Sequence, residues 1–168
     1  DGIKGGSVSE IIGLAKTAGV VLEFCKAERL DKLADGLRHQ GFVALAAPIR
    51  FHSLAEVLAL AKEKDETPFL LLLDELQDPQ NVGALIRTAD AAGFDGVILT
   101  AGSADSYSPK VLRTMQGSHF HLPIFLENDV QNLYQRLKNQ GITVIATTLS
   151  ETSVDYRPIS QPEKFAIL

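Results

Sequence analysis

The sequence predicts an α/β fold with a mostly parallel β-sheet and helices on both faces of the sheet. From Phe69 onward, short apolar segments alternate with longer segments of helical periodicity, and each apolar segment is continuous rather than alternating. Continuous apolar strands are typical of parallel sheets that are buried on both faces. The strands are predicted at 69–73, 96–100, 122–126, 142–147 and 165–168.

The helices between these strands have recognisable ends. Asp78 and Pro79 suit a helix start, because aspartate caps helices and proline fits the first turn, although Asn81 would be an equally good cap. Ser108 begins a second helix in the same way, and Gly141 suits the end of a third. The predicted helices span 79–92, 109–116 and 129–140.

The first third of the chain predicts a smaller α/β unit, with helices at 7–19 and 27–36, a strand at 20–24, and a polar turn followed by a strand within 38–48. Another helix is predicted at 53–64, and a charged segment follows it. We therefore expect an N-terminal domain at 1–48, a linker with a connecting helix at 49–67, and the main α/β domain at 68–168.

The composition is that of a globular protein, with 45% apolar and 22% charged residues in a chain of 168. The single cysteine fits a reducing compartment, and no apolar run has the length of a membrane span, so we expect a soluble, cytoplasmic protein that does not bind membranes. The net charge of −5 argues against non-specific coating of nucleic acid, but it does not exclude an enzyme for a specific RNA. His119 and His121 lack neighbouring ligand residues, so no metal site is expected.

The loop and helix after the first predicted strand carry the most informative candidates, Asn81 and Arg87. Ligands of open parallel sheets bind at the carboxyl ends of the strands. Gly83 is unusual in a helix interior, where glycine costs about 1 kcal/mol relative to alanine. It shares a helix face with Arg87, which leaves room for a ligand or for the backbone of a partner. From these residues alone, a helix cap and a solvated arginine are the plainer interpretation.

Three other segments carry weaker signals. Lys110 and Arg113 lie near a predicted helix start, where anions bind favourably. Residues 147–149 follow a predicted strand, and residues 38–41 form a polar turn that is suited to contact RNA phosphate or sugar. Each of these segments also has an ordinary structural explanation.

Residues 72–100 resemble the first motif of the SpoU (TrmH-type) RNA 2′-O-ribose methyltransferases, a family of the SPOUT superfamily. The motif is an acidic strand end, then Asp-Pro-x-Asn-x-Gly, an arginine four residues later, and Ala-Asp-Ala-x-Gly. In addition, 108–124 resembles the family's segment of serine, small helix and Leu-Pro, and 37–45 resembles the RHQG turn of its N-terminal substrate-binding domain, a ribosomal-protein-like RNA-binding fold. The motif residues are Asp78, Pro79, Asn81, Gly83, Arg87, Ala89, Asp90, Ala91 and Gly93.

The resemblance implies a homodimeric enzyme that transfers a methyl group from S-adenosylmethionine to a ribose 2′-hydroxyl of RNA. It implies that Arg87 is the central catalytic residue and that Asn81 holds the loop and the site across the dimer interface, where Gly83 permits close helix approach. Ribosomal RNA is the expected substrate; a transfer RNA enzyme of the same family, a non-catalytic RNA-binding module and a flavodoxin-type enzyme are alternatives. The expected cofactor contacts are Thr147, Thr148 and Leu149, and the expected RNA contacts are Arg38, His39, Gln40, Lys110 and Arg113.

Members of this family continue beyond the segment that corresponds to 165–168, into a Gly-Asn-Glu loop and a later Ser-x-Asn-Val helix. Those motifs form most of the S-adenosylmethionine pocket and a trefoil knot, so we expect the knot only in a polypeptide that contains them. A polypeptide that ended at Leu168 would be expected to bind the methyl donor weakly or not at all.

Overall fold

The structure is a computed structural model that describes residues 6–47, 50–63, 65–160 and 162–168. The chain divides into two compact units, Asp1–Ile49 and Arg50–Leu168. The helix of the predicted linker belongs to the second unit. No helix of the described residues is long and apolar enough to cross a membrane.

The first unit contains two helices, α1 (Gly6–Thr17) and α2 (Ala27–Ala34). The strand predicted at 20–24 and the strand predicted after the polar turn within 38–48 are wrong for the residues that the structure describes there, which exclude Pro48. The predicted turn itself is present, closed by a hydrogen bond from Phe42 N to His39 O. Both segments are non-helical and mostly exposed, and no backbone hydrogen bond joins one to the other. A strand forms only where another strand pairs with its backbone, so apolar residues alone did not decide the structure of these segments.

The second unit is built around a five-stranded sheet in which every pair of neighbouring strands is parallel. The strand order is β3-β2-β1-β5-β4. This confirms the predicted parallel α/β fold. In chain order, the elements are α3 (Leu54–Glu63), β1 (Phe69–Leu73), α4 (Pro79–Ala91), β2 (Gly96–Thr100), α5 (Pro109–Met115), β3 (Ile124–Glu127), α6 (Val130–Asn139), β4 (Thr143–Ile145) and β5 (Phe165–Ile167).

Helices cover both faces of this sheet, as predicted. Successive residues of a strand point to opposite faces, so a strand that is covered twice needs apolar residues at every position. Within β1, Leu71 and Leu73 pack with α4 and α5, whereas Leu70 and Leu72 pack with α3 and α6. The segment Leu70–Leu73 is therefore buried along its whole length.

Several element boundaries differ from the sequence prediction by one or two residues; β4, for example, is Thr143–Ile145 rather than 142–147. β3 begins at Ile124 rather than at residue 122, because residues 118–120 form a short 3-10 helix that is closed by a hydrogen bond from Leu122 N to Ser118 O. His119 lies in this helical turn, and His121 directly follows it. The start of α4 is capped by Asp78, whose Oδ1 accepts a hydrogen bond from Gln80 N at 2.9 Å, so Asn81 is not the cap.

Gly83 lies where α4 and α5 come into close contact. A Cβ atom at this position would lie 2.6 Å from Thr114 Cβ and 2.9 Å from Val111 O. The sequence suggested that the space beside Gly83 is open to a ligand. The structure shows instead that α5 of the same chain fills this space. The close packing expected at this glycine occurs within the subunit, and a contact with a second subunit stays a prediction.

We expect Gly83→Ala to destabilise the second unit by about 1–3 kcal/mol, the usual cost of overpacking. Alanine favours a helix more than glycine does, so without a steric clash this substitution would raise the free energy of unfolding. A decrease therefore indicates the clash. Gly13→Ala in α1 is the control, because a Cβ there meets nothing within 4 Å and should leave its helix as stable or more stable. Thermal unfolding followed by circular dichroism measures both, and a Gly83→Ala protein as stable as the parent would contradict the packing.

Candidate active site

The strand order reverses at one point of the sheet. The chain passes from β1 to β2 and β3 on one side, and then crosses to β4 and β5 on the other. β1 therefore lies between β2 and β5, and the carboxyl edge between β1 and β5 is a topological switch point, the position at which open α/β sheets usually bind their ligands. The loop 74–78, which leads from β1 to α4, leaves the sheet at this point.

The hydroxyl of Thr100, at the end of β2, holds this loop in place. It donates a hydrogen bond to Asp74 Oδ1 at 2.6 Å and accepts one from Glu75 N at 2.9 Å. Thr100 is only 1% exposed, whereas Asp74 and Glu75 are exposed, so the hydroxyl holds a surface loop from the buried end of the strand. Glu75 has a left-handed backbone with φ of 49°, which is uncommon for a residue with a side chain. The threonine thus fixes a turn that the chain would not readily adopt by itself.

Ser103 provides a second clamp on the same loop. Its Oγ accepts a hydrogen bond from Leu76 N at 3.1 Å and donates one to Leu73 O at 3.2 Å. Ala104 N also donates to Leu76 O at 2.9 Å. Sequence reasoning missed Thr100 and Ser103, because a single hydroxyl residue carries no local signal of a contact with a segment more than twenty positions away.

Asn81 and Arg87 are both exposed on α4, which this loop positions. Neither side chain has a hydrogen-bond or ion-pair partner among the residues that the structure describes. Their six-residue separation places them about 120° apart around the helix and about 9 Å apart along it. The two side chains therefore do not converge on one point of the helix surface, and each is suited to a separate task.

The 3-10 helix lies against α4 one turn beyond Arg87. His121 Nδ1 is 3.5 Å from Asp90 Oδ2, and Asp90 follows Arg87 by three residues. Burial, and then the nearby charge of His121, lower the pKa of His119. Within the described residues, no group of His, Cys, Asp or Glu side chains could hold a metal ion.

The predicted cation contacts on α5 adjoin this surface. Lys110 and Arg113 are exposed, and Lys110 precedes Thr114, the residue that meets Gly83, by one helical turn. The side of α5 that carries Lys110 thus packs beside α4. Arg87, Lys110 and Arg113 belong to one pair of adjoining helices on the same face of the sheet.

Residues 147–149 follow β4 and run beside the end of β5. Thr147 N and Thr147 Oγ1 both donate to Leu168 O, at 2.6 and 2.8 Å. Ser153 Oγ donates to Thr148 O at 2.8 Å, while the Leu149 side chain is fully exposed. The hydroxyl of Thr147 is therefore already engaged, and Leu149 offers an apolar surface at the carboxyl edge of the sheet.

The polar turn at residues 38–41 belongs to the first unit. Arg38 and Gln40 are exposed there, whereas His39 is largely covered and makes hydrogen bonds through both ring nitrogens. Of the predicted RNA contacts in this turn, Arg38 and Gln40 are available to a ligand.

Each of the two units matches the model of a known protein family. Residues 68–168 match the model of the SpoU rRNA Methylase family, and residues 1–52 match the model described as RNA 2'-O ribose methyltransferase substrate binding.

Two bacterial relatives illustrate the sequence similarity. The TrmH-family protein YacO of Bacillus subtilis is 34% identical over 145 residues, which are 86% of this chain and 58% of YacO. The 23S rRNA (guanosine(2553)-2'-O)-methyltransferase RlmP of the same species is 40% identical over 133 residues, 79% of this chain and 53% of RlmP. The chain therefore spans little more than half the length of these relatives.

An rRNA methyltransferase from Sinorhizobium meliloti has a similar structure. Its crystal structure superimposes with a TM-score of 0.71 at 25% identity, covering 96% of this chain and 60% of that one. A second structure from the same species, described as AdoMet bound rRNA methyltransferase, has a TM-score of 0.65 at 25% identity, covering 96% of this chain and 59% of that one.

We expect Thr100→Val to destabilise the second unit by about 1 kcal/mol, because it removes the hydrogen bonds that the buried hydroxyl makes with Glu75 N and Asp74 Oδ1. Valine has nearly the same shape, so packing is kept. Thr100→Ser retains the hydroxyl and is the control, with a much smaller loss. Urea unfolding gives the free energies, and amide hydrogen exchange at Glu75 and Leu76 should become faster only in the valine variant. Equal stability of the valine variant and the parent would refute the clamp.

Proposed function

Because this chain belongs to the SpoU rRNA methylase family, we propose that its protein transfers a methyl group from S-adenosylmethionine to a ribose 2′-hydroxyl of RNA. One observation supports this most strongly. Arg87 is exposed and lacks a side-chain partner among the described residues, on a helix that starts at the switch point of the sheet. An exposed guanidinium without a side-chain partner is well suited to an anionic substrate.

Arg87 would orient the ribose and stabilise charge. Methylation requires the hydroxyl oxygen to face the methyl group in line and to lose its proton. A guanidinium has five fixed donors, so it can hold the hydroxyl oxygen and the neighbouring phosphate together. It stays protonated in proteins, so we assign it orientation and stabilisation of the developing negative charge, rather than removal of the proton.

Asn81 would act apart from Arg87. It lies in the first turn of α4, directly after the clamped loop, and its amide is exposed. An amide in this position can hold a neighbouring loop by donating and accepting at once. We propose that it does so across the interface of a homodimer, so that each site is completed by the second subunit.

The segment Thr147–Leu149 fits one side of a nucleoside cofactor. The exposed Leu149 provides an apolar surface, and the Leu149 N–H has no partner among the described residues. Apolar cover with a few backbone polar groups is the usual lining of such sites. S-adenosylmethionine, when bound, supplies an electrophilic methyl group. In this arrangement Thr147 holds the segment to the end of β5, and Thr148 and Leu149 contact the adenosine.

Ribosomal RNA is our proposed substrate, and transfer RNA is the alternative. The name of RlmP gives 23S ribosomal RNA as its substrate, and 79% of this chain aligns with that protein. The first unit would bind this RNA through Arg38 and Gln40, with Lys110 and Arg113 contacting phosphates nearer to the reacting ribose. We expect the protein in the cytoplasm, where bacterial relatives would meet ribosomal RNA.

We expect Arg87→Ala in the full-length protein to lower kcat for RNA methylation by at least about 100-fold, the size of losing one preorganised charge-stabilising donor. Because Arg87 is exposed and has no side-chain partner among the described residues, the thermal unfolding midpoint should not change. Lys138→Ala is the control, since Lys138 is exposed on α6, which covers the opposite face of the sheet. Transfer of a radiolabelled methyl group to RNA measures the rate. Unchanged activity of the alanine variant would sink the assignment.

A deletion strain tests the substrate class. Mapping of 2′-O-methylated nucleotides should show the loss of a methyl group from ribosomal RNA, restored by the parent gene but not by the Arg87→Ala gene. Loss of methylation from transfer RNA alone would instead support the alternative enzyme of the same family.

A further inference from the structure

The ring of His39 is held at both of its nitrogens. Gly41 N donates a hydrogen bond to Nδ1 at 3.0 Å, and Nε2 lies 3.0 Å from Asp31 Oδ1 on α2. Since Nδ1 accepts a hydrogen bond, the ring proton sits on Nε2 and is donated to the carboxylate. The side chain is only 18% exposed, so little of the ring is left to contact a ligand.

The backbone around this ring forms a strained turn. Phe42 N donates to His39 O at 2.9 Å, which closes a turn of four residues. The two central residues, Gln40 and Gly41, have φ of 47° and 88°. Positive φ at both positions is the pattern of a type I′ turn, which favours asparagine or glycine at the first of them. Glutamine at that position is strained, and such strain persists only where the surroundings enforce it.

The bond from Gly41 N to His39 Nδ1 supplies this enforcement. It joins a side chain to the backbone N–H two residues later, as asparagine does in an Asx-turn. Asp31 then fixes the ring from the other side. The result is a turn in which the covered His39 is flanked by the exposed side chains of Arg38 and Gln40.

We propose that His39 is a positioning residue, which holds the turn in the shape that allows Arg38 and Gln40 to contact RNA, and that its ring does not contact RNA itself. The inference rests on the proposed function, and it revises the direct RNA contact expected for His39 from the sequence. A guanidinium suits phosphate, and an amide suits a base edge or a ribose hydroxyl, so the displayed pair can read single-stranded RNA.

Two substitutions separate the two ring contacts. His39→Asn keeps an acceptor at the position of Nδ1 and loses the link to Asp31, whereas His39→Gln reaches Asp31 and loses the acceptor for Gly41 N. His39→Ala loses both contacts, and Asp31→Ala keeps only the turn bond. Each variant is made in the full-length protein, and its binding to a fluorescein-labelled RNA hairpin with a loop of randomised sequence is measured by anisotropy.

We expect His39→Ala and His39→Gln to weaken RNA binding by about three- to tenfold, the size of losing one or two well-placed polar contacts. His39→Asn and Asp31→Ala should bind within about twofold of the parent, a difference too small for a lost hydrogen bond. Nuclear magnetic resonance should show positive φ at Gln40 through a strong intraresidue nuclear Overhauser effect between its amide proton and Hα. This signal is expected in the parent and in His39→Asn, but not in His39→Ala or His39→Gln.

Two results would overturn the inference. If His39→Asn binds as weakly as His39→Ala while its turn is intact, the ring itself contacts RNA. If His39→Gln binds as well as the parent, the turn bond has no part in recognition. A parent protein that does not bind the RNA hairpin would overturn the proposed function, and the RNA role of the turn with it. The intraresidue nuclear Overhauser effect at Gln40 tests the histidine contact by itself.

Discussion

The hydroxyl of Thr100 is the interaction on which the candidate site depends. It joins the buried end of β2 to the loop after β1 through Asp74 and the Glu75 backbone. That loop sets where α4 begins, and α4 carries both Asn81 and Arg87. The sheet is buried on both faces, and Thr100 fixes the loop that precedes the helix carrying the exposed candidate side chains. The candidate residues on the surface of α4 are thus held in place by the buried sheet.

Much of the sheet follows from local sequence. β1 and β2 occur at the predicted residues, because a strand covered on both faces must be apolar at every position and is then easily recognised. The strands predicted at 20–24 and after the polar turn within 38–48 are absent from the described residues for the converse reason. Their apolar residues lie where the structure provides no pairing strand within the described residues, and strand formation depends on that partner more than on composition.

The residues of the candidate site also fall into two groups, those that local sequence points to and those that only the folded structure brings together. Asn81, Gly83 and Arg87 were identifiable because they sit at fixed spacings in one short motif. Thr100 and Ser103 were not, since their partners lie far away in the sequence and appear only when β1 and β2 pair. The spacing of the motif residues also could not distinguish residues that contact a ligand from residues that stabilise the local structure. Gly83 serves the packing of α5, and His39 shapes a turn, although both stand among residues that resemble ligand contacts.

The claim that this site methylates the ribose of RNA is tested most directly by the chemical position of the transferred group. The full-length protein would be incubated with S-adenosylmethionine that carries a deuterated methyl group and with ribosomal RNA from cells that lack this protein. The nucleosides would then be identified by mass spectrometry. Label in the ribose fragment of a 2′-O-methylnucleoside is the predicted result. Label in a base, or no transfer to RNA by a folded protein, would contradict the assignment.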